Sequence, residues 1–135
     1  MRRALLALPL ALLACVPAPE FRPYYWKLVS IGGQPFAATA TFALDESGKR
    51  VSGQAPCNTW SGRIANQPDP VWAIRDVVAT EMACPELAAE QAFFAGLARA
   101  THMAVGIGYL PLTDMQGFTM EFVPPAPREN PSSPR

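Results

Sequence analysis

Residues 57–62, Cys57-Asn58-Thr59-Trp60-Ser61-Gly62, and residues 80–84, Thr80-Glu81-Met82-Ala83-Cys84, decide how this chain is organised. They carry the only two cysteines in the body of the chain. The first segment is typical of a turn that runs into a strand. The second ends where a helix is predicted to begin, because Pro85 suits a first helical position and Glu86 a first turn. If the two sulfurs bond, they join a sheet to the start of a helix.

The cysteine pair has four interpretations: a disulfide, two unpaired structural thiols, metal ligands or a nucleophile. A zinc site is disfavoured because Cys57, Cys84 and the sole histidine, His102, lack a closely spaced ligand pair. A Cys–His pair is disfavoured because His102, expected at a strand edge, follows the far end of the predicted helix, about 24 Å along its axis. The N-terminal residues, described next, predict export, and an even number of cysteines in an exported protein favours a disulfide. We therefore predict a disulfide, with two unpaired thiols as the alternative.

The N-terminal residues predict export and lipid attachment. Arg2 and Arg3 supply positive charge, and the apolar run Ala4 to Leu13 is shorter than the roughly 20 residues of a membrane-spanning helix. Leu12-Leu13-Ala14-Cys15 then resembles the lipobox of bacterial lipoproteins, whose cysteine is lipidated and becomes the first mature residue. The alternatives are a secretory signal with a chance cysteine or a short buried helix. We predict lipid attachment at Cys15.

The predicted mature chain gives expectations about location and partners. The full chain has eleven basic and eleven acidic residues. Cleavage of the signal peptide would remove Arg2 and Arg3, which leaves a net charge near −2. With no basic stripe, no nucleic-acid partner is expected. Acyl chains would anchor the protein to a membrane. Because Val16 and not Asp follows Cys15, resemblance to other lipoproteins suggests the periplasmic face of the outer membrane. The predicted divisions are a signal peptide at 1–14, a Pro-rich tether at 15–23, a domain at 24–123 and a disordered Pro-rich tail at 124–135.

Hydrophobic periodicity predicts short strands on both sides of one helix. The first strand, 25–31, places Trp26, Leu28 and Ser30 on one face. The helix, Pro85 to Ala100, has a predicted apolar face of Leu87, Phe93, Gln91, Phe94, Leu97 and Ala98, with Glu86, Glu90 and Arg99 outside. The other predicted strands and turns are a strand at 36–44, a hairpin loop at 45–49, strands at 50–54, 60–65, 71–74, 103–105 and 109–112, a turn at 114–117, and a strand at 118–122.

This element order predicts an α+β fold that is mainly antiparallel β: a small curled, barrel-like sheet with a single helix. Trp26, Trp60 and Trp72 are expected to fill its core and not to line a ligand pocket. The carboxylates Asp45, Asp69, Asp76 and Asp114 lie at predicted turns, where Asp bonds to the backbone. Ser52-Gly53 lacks the strand–turn–helix context of a nucleophile elbow. We therefore expect no enzyme activity, no metal and no cofactor.

These residues together resemble the META domain, the family that includes the heat-shock lipoprotein HslJ. The motif residues are Trp26, Gly53, Asn58, Trp60, Gly62, Thr80 and Met82, with the two cysteines, in family order from residue 24 to residue 123. Two residues depart from the usual family pattern: Pro56 where Gly is usual, and Trp60 where Tyr is common. The resemblance implies a small β-rich, barrel-like domain with one helix, often lipid-anchored, associated with heat-shock or envelope stress and without an established catalytic site.

Two function classes remain open at this point. The first is a non-enzymatic envelope lipoprotein that binds an unknown envelope protein or small ligand during stress or envelope maintenance. The second is an inhibitor of a secreted hydrolase such as lysozyme, for which the loops at 45–50 and 66–70 are the candidate contact points. The sequence does not distinguish an oligomeric state.

Overall fold

The computed structural model describes residues 25–65 and 71–125 of the 135-residue chain. Within these residues the chain forms nine strands and one helix. In chain order they are β1 (Tyr25–Ile31), β2 (Gln34–Pro35), β3 (Thr41–Leu44), β4 (Arg50–Gln54), β5 (Thr59–Ile64), β6 (Ile74–Ala79), α1 (Leu87–Arg99), β7 (His102–Met103), β8 (Leu110–Thr113) and β9 (Thr119–Val123).

One antiparallel sheet contains all nine strands, in the order β6-β5-β4-β3-β1-β9-β8-β7, with β2 paired to β1. The outer strands β6 and β7 do not pair with each other. Val71, just before β6, nevertheless forms a bridge with His102 of β7, and the Trp72 N–H donates to the Thr101 carbonyl at 2.7 Å. The sheet therefore curls until its two edges approach without closing. The predicted α+β architecture is confirmed.

The core lies between helix α1 and the apolar face of the sheet. Alternation puts Trp26 and Leu28 of β1 on that face, as predicted from the sequence. All three tryptophans are buried, which confirms their expected role in packing. Aromatic rings meet at the centre: Phe42 lies 6.1 Å from Trp60, which packs edge-on against Phe93 of the helix at 5.5 Å. The largest fully buried side chains are Phe42, Phe93, Phe122, Leu28, Leu97, Leu110, Leu112, Met120 and Val51.

Two predicted strands have different bounds in the structure. The strand predicted at 36–44 is wrong for its first half, because β3 covers only Thr41–Leu44. Residues 34–35 pair with the end of β1 as β2, the Phe36 N–H donates to the Val29 carbonyl, and the Ala40 carbonyl accepts from the Leu28 N–H. Residues 37–39 therefore loop out between two adjacent attachments to β1 and do not extend β3. The strand predicted at 71–74 is also wrong, since β6 runs from Ile74 to Ala79. The other predicted strands and turns are found with shifts of one or two residues.

The displacement of β6 has a local cause in its pairing with β5. Its register shifts opposite Gly62, and Asp76 there adopts a left-handed backbone with φ of 51°, which marks a β-bulge. Arg63 of β5 forms an ion pair with the Asp76 carboxylate. Every residue of β6 after Ile74 is exposed, so no apolar alternation in the sequence marks this strand.

The helix is confirmed, but its predicted orientation is partly wrong. Its buried residues are Glu90, Phe93, Gly96 and Leu97, whereas Leu87, Gln91 and Ala98 are exposed. Gly96 lies on the buried face and permits a close approach to β9, because a Cβ there would lie 2.6 Å from the Met120 sulfur. Glu90, expected on the outside, is turned towards the sheet.

Candidate functional site

The two motif segments lie side by side at one end of β5 and β6. The turn between β4 and β5 presents Cys57 and Asn58, and it is closed by the Ala55 N–H, which donates to the Asn58 carbonyl at 2.6 Å. Residues 80–84 leave the end of β6 and run past this turn to the helix. Cys57 and Cys84 form a disulfide with a Cα–Cα distance of 5.5 Å, so the predicted bridge is present in the structure.

Asn58 is the centre of the site and is only 4% exposed. Its side-chain oxygen accepts from the Met82 N–H at 2.6 Å and from the Thr80 hydroxyl at 2.9 Å. Its amide group donates to the Met82 carbonyl at 3.2 Å and to the Glu90 carboxylate at 2.7 Å. These bonds use both acceptor sites and both donors of the amide. Asn58 therefore holds residues 80–82 much as a neighbouring strand would.

Glu90 completes the site from the first turn of α1 and is 6% exposed. Its Oε2 accepts from the Cys57 N–H at 2.8 Å, while Oε1 accepts from the Asn58 amide. A carboxylate in a first helical turn is also favoured by the unpaired N–H groups of that turn. Sequence analysis missed this residue because charged side chains are usually exposed. The available signal was its helical spacing with Phe93 and Leu97 on the buried face.

The two motif glycines permit close packing of the strands behind this site. A Cβ on Gly53 would overlap the Thr41 carbonyl, which the backbone could avoid only by moving. A Cβ on Gly62 would lie 2.9 Å from the Ile74 side chain, which can move more easily. Trp60 is the cross-strand partner of Gly53 and donates its indole N–H to the Thr41 carbonyl at 3.3 Å.

The structure thus brings together most, but not all, of the predicted motif residues. We call Cys57, Asn58, Thr80, Met82, Cys84 and Glu90 the motif cluster. Trp60, Gly53 and Gly62 support it from β4 and β5, whereas Trp26 belongs to the core on β1. The Thr80 hydroxyl oxygen also accepts from the Thr59 N–H at 3.2 Å. Cys15 lies outside the described residues.

The motif cluster borders an exposed apolar surface. Val78 is 63% exposed and Met82 is 66% exposed. Beside them is an open groove of about 320 Å³ lined by Thr59, Trp60, Val78, Ala79 and Thr80. Among the residues that the structure describes, β6 pairs only with β5, so its other edge has no strand partner there. The polar groups of the cluster point inward, while its apolar side chains are available outside.

The other end of the helix has a different kind of polar contact. Arg99 donates to the Asp114 carboxylate at 2.6 Å and lies over the Phe118 ring, 4.4 Å from its centroid. Burial acts to raise the pKa of Asp114, but hydrogen bonds from Arg99 and from the N–H groups of Phe118 and Gln116 outweigh it. The pKa of this carboxyl therefore lies below its ordinary value.

A second polar contact lies on the outer face of the sheet. The Tyr109 hydroxyl donates to Glu121 at 3.2 Å. Partial burial, that hydrogen bond and the negative charge of Glu121 together raise the pKa of Tyr109. The phenol is accordingly neutral at physiological pH.

Two searches of the described residues give negative findings. Across 25–65 and 71–125, no group of three or more His, Cys, Asp and Glu side chains is placed to hold a metal ion. In the same ranges, no helix combines the length and the apolar character that a bilayer crossing requires.

Comparisons with known proteins agree with this architecture. An NMR structure of a protein from Burkholderia xenovorans superposes with a TM-score of 0.59 at 20% sequence identity, over 89% of this chain and 100% of that chain. This similarity concerns the fold alone. No curated protein matches the chain significantly. The family model described as META domain matches residues 19–127, which include every described element. The chain therefore belongs to the META domain family.

Proposed function

We propose that this protein is a non-enzymatic, lipid-anchored lipoprotein of the bacterial envelope, whose META domain binds a partner protein during envelope stress or maintenance. The observation that carries this proposal is the division of the motif cluster into two sides. Its polar groups bond to one another, while Val78 and Met82 stay exposed beside the open edge of β6.

Export is supported by two features that are distant in the sequence. The N-terminal residues end in the lipobox-like Leu12-Leu13-Ala14-Cys15, and the folded domain contains a disulfide between Cys57 and Cys84. Disulfides persist in oxidising compartments such as the bacterial periplasm and are rare in the cytosol. Both features fit a protein that functions outside the inner membrane.

A binding role is supported by how the buried polar groups are used. A general acid or base must reach a substrate proton, and a nucleophile must be exposed to its target. In the motif cluster, Glu90 accepts from Cys57 and Asn58, and Asn58 has its full set of internal partners. These bonds position a surface and are not directed at a bound molecule.

The surface itself suits an extended protein segment. Such segments can add to an open strand edge through main-chain hydrogen bonds, with side chains entering adjacent pockets. The edge of β6 offers the main-chain groups, and the groove beside Trp60 offers the pocket. The bulge at Asp76 interrupts the edge, so the usable stretch is Val77 to Ala79.

The anchor is tested by Cys15→Ser in the full-length protein. We expect loss of lipid labelling and release from membranes, because the acyl chains would have no attachment site. The disulfide should still form, which separates failure of anchoring from failure of folding. If Cys15→Ser remains fully in the membrane fraction, the anchor assignment is wrong.

The binding surface is tested by site-specific photocrosslinking in cells that express the lipidated protein. A photoreactive residue at Val78 or Met82 should give a discrete crosslinked species, whereas one at Met115, an exposed apolar residue of the β8–β9 turn, should not. Equal crosslinking from all three positions would contradict a specific surface. Absence of a crosslinked protein, together with a small molecule bound in the groove by mass spectrometry, would favour a ligand over a protein.

One observation supports the second candidate function, inhibition of a secreted hydrolase such as lysozyme. The loop at 45–49 is exposed yet ordered, because the Asp45 carboxylate accepts from the Ser47 hydroxyl and from the N–H groups of Lys49 and Arg50. Despite the opposing effect of burial, these bonds lower the pKa of Asp45. An ordered polar loop can enter an enzyme cleft. Residues 66–70, the other predicted loop, lie outside the described residues.

A lysozyme assay separates the two candidates. The purified protein should leave lysozyme activity unchanged if the domain is the binding module proposed above. Inhibition that is lost on replacing Lys49 and Glu46 with Ala, but kept with Val78→Ser, would instead establish the inhibitor role.

A further inference from the structure

The hairpin between β7 and β8 has an unusual surface. From residue 100 to residue 113 the chain has no Asp, Glu, Lys or Arg. Ile107 at the tip is fully exposed, and Val105 and Tyr109 beside it are also exposed. The tip is ordered by the Gly106 N–H, which donates to the Tyr109 carbonyl at 3.0 Å. Clustered exposed apolar side chains on a rigid turn indicate a contact surface.

The sheet register places this tip at the end of the domain where the described chain begins. Leu110 pairs with Phe122, and Phe122 pairs with Leu28, so residues before Leu110 lie level with residues before Leu28. Ile107 is therefore at about the height of Tyr25. The two are separated across β9 and β8 by two to three strand spacings, about 10–15 Å.

The connection to Cys15 limits how far this end can lie from a membrane. Residues 16–24 separate Cys15 from Tyr25. Even a fully extended chain of this length spans at most about 35 Å. If Cys15 is acylated, the end of the domain that carries Tyr25 and the hairpin tip is the end held nearest the bilayer.

We propose that the β7–β8 hairpin tip, Val105, Ile107 and Tyr109, is a lipid-contacting surface that docks the anchored domain on the bilayer interface. This inference rests on the proposed lipid anchor. Val and Ile enter the boundary between headgroups and acyl chains, and Tyr is suited to the interface because its ring is apolar and its hydroxyl is polar. The Tyr109 hydroxyl keeps its bond to Glu121, so the carboxylate is covered on that side.

The opposite end of β8 provides a matched control. Met115 is an exposed apolar residue in the β8–β9 turn, and Asp114 and Arg99 lie next to it. The register puts this turn at the far end of the sheet from Tyr25. If exposed apolar residues alone were enough for membrane contact, Ile107 and Met115 would contact the bilayer equally.

The test uses the full-length lipidated protein with a single added thiol, Ile107→Cys or Met115→Cys, labelled with a nitrobenzoxadiazole fluorophore. Each is reconstituted in vesicles of phosphatidylethanolamine and phosphatidylglycerol. At position 107 we expect a blue-shifted emission and quenching by nitroxide lipids. Quenching by aqueous iodide should be several-fold weaker than for the same probe in the Cys15→Ser background. Docking of this kind would place the probe roughly 5–10 Å inside the interface. Position 115 should show iodide quenching that is the same in both backgrounds.

Equal iodide access at positions 107 and 115 in the lipidated protein would overturn the docking surface. Mass spectrometry of the same samples shows whether Cys15 is acylated, and an unmodified Cys15 would overturn the anchor and the docking surface together. Acylation with a water-exposed position 107 overturns only the docking surface. A probe at 107 that is shielded without lipid quenching would indicate a protein contact and would also overturn it.

Discussion

The two ends of helix α1 are joined to the sheet by contacts of opposite character. At the N-terminal end, Glu90 is buried and accepts from neutral donors, the Cys57 N–H and the Asn58 amide, next to the disulfide. At the C-terminal end, Arg99 is half exposed and reaches Asp114, whose carboxylate already accepts from two backbone N–H groups of its own turn. At the N-terminal end two donors depend on the one carboxylate of Glu90, whereas at the C-terminal end the buried Asp114 carboxylate keeps two backbone donors if Arg99 is lost.

This difference shows where the stability of the domain is concentrated. Loss of Glu90 leaves two buried donors without an acceptor, and unsatisfied buried donors are costly. Loss of Arg99 leaves Asp114 with its turn N–H groups, and water can reach Arg99 in any case. We therefore expect the free energy of unfolding to be far more sensitive to changes at the motif cluster.

The largest effect is expected from removing the disulfide with the double change Cys57→Ser and Cys84→Ser. The bridge links residues 27 apart in sequence, and its loss should lower the free energy of unfolding by about 3–4 kcal/mol. Calorimetry should then show a melting temperature lower by roughly 4–8 °C for each kcal/mol. A variant with an unchanged melting temperature would mean that the motif hydrogen bonds alone hold residues 80–84.

A smaller loss, about 3 kcal/mol, is expected for Glu90→Ala, because the Cys57 N–H and the Asn58 amide lose their acceptor. Glu90→Gln keeps the shape of the side chain but turns one acceptor into a donor, so it should fall between Glu90→Ala and the unchanged protein. Chemical denaturation measures all three.

Asn58→Ala tests whether these residues act as one unit. Because Asn58 and Glu90 share a hydrogen bond, the double change Asn58→Ala and Glu90→Ala should cost less than the two single changes added together. Coupling of about 0.5–3 kcal/mol is expected for contacting residues. Additive losses would show that Glu90 and Asn58 stabilise the domain independently.

The smallest effect is expected at the other end of the helix. Arg99→Ala should lower stability clearly less than Glu90→Ala, and about 1 M salt should reduce the difference from the unchanged protein. A loss as large as that of Glu90→Ala would contradict the contrast between the two ends.

Acid titration of stability gives an independent measure of the C-terminal contact of the helix. The folded pKa of Asp114 lies below its ordinary value of 3.8, so its contribution is present above that value and is lost as pH falls through the folded pKa. Asp114→Asn should therefore flatten the decline of melting temperature below about pH 4. Arg99→Ala should flatten it only in part, since the N–H bonds from Gln116 and Phe118 remain.

Local patterns in the sequence were enough to predict the strands that alternate cleanly and the three tryptophans of the core. Trp26 and Leu28 in β1, and Met120 and Phe122 in β9, follow a period of two, which a half-buried strand imposes directly. The disulfide was also predicted, from the even number of cysteines in the body of the chain and from the export that the N-terminal residues predict. β6 was misplaced because it is exposed on both faces, so it has no apolar alternation, and its place in the sheet is set by backbone pairing with β5.

By itself the sequence determined the class of the fold, the single helix and the family motif, because these depend on periodicity, residue type and order along the chain. It favoured a disulfide over two unpaired thiols, and the structure decided between them. Only the tertiary structure decided which face of the helix is buried and what the motif does. Glu90 is buried because residues 57–58, more than 30 positions earlier, supply its donors. Gly96, on the same buried face of the helix, packs closely against Met120 of β9. Such long-range hydrogen bonds have no periodic signature, so the central carboxylate of the site could be found only in the folded chain.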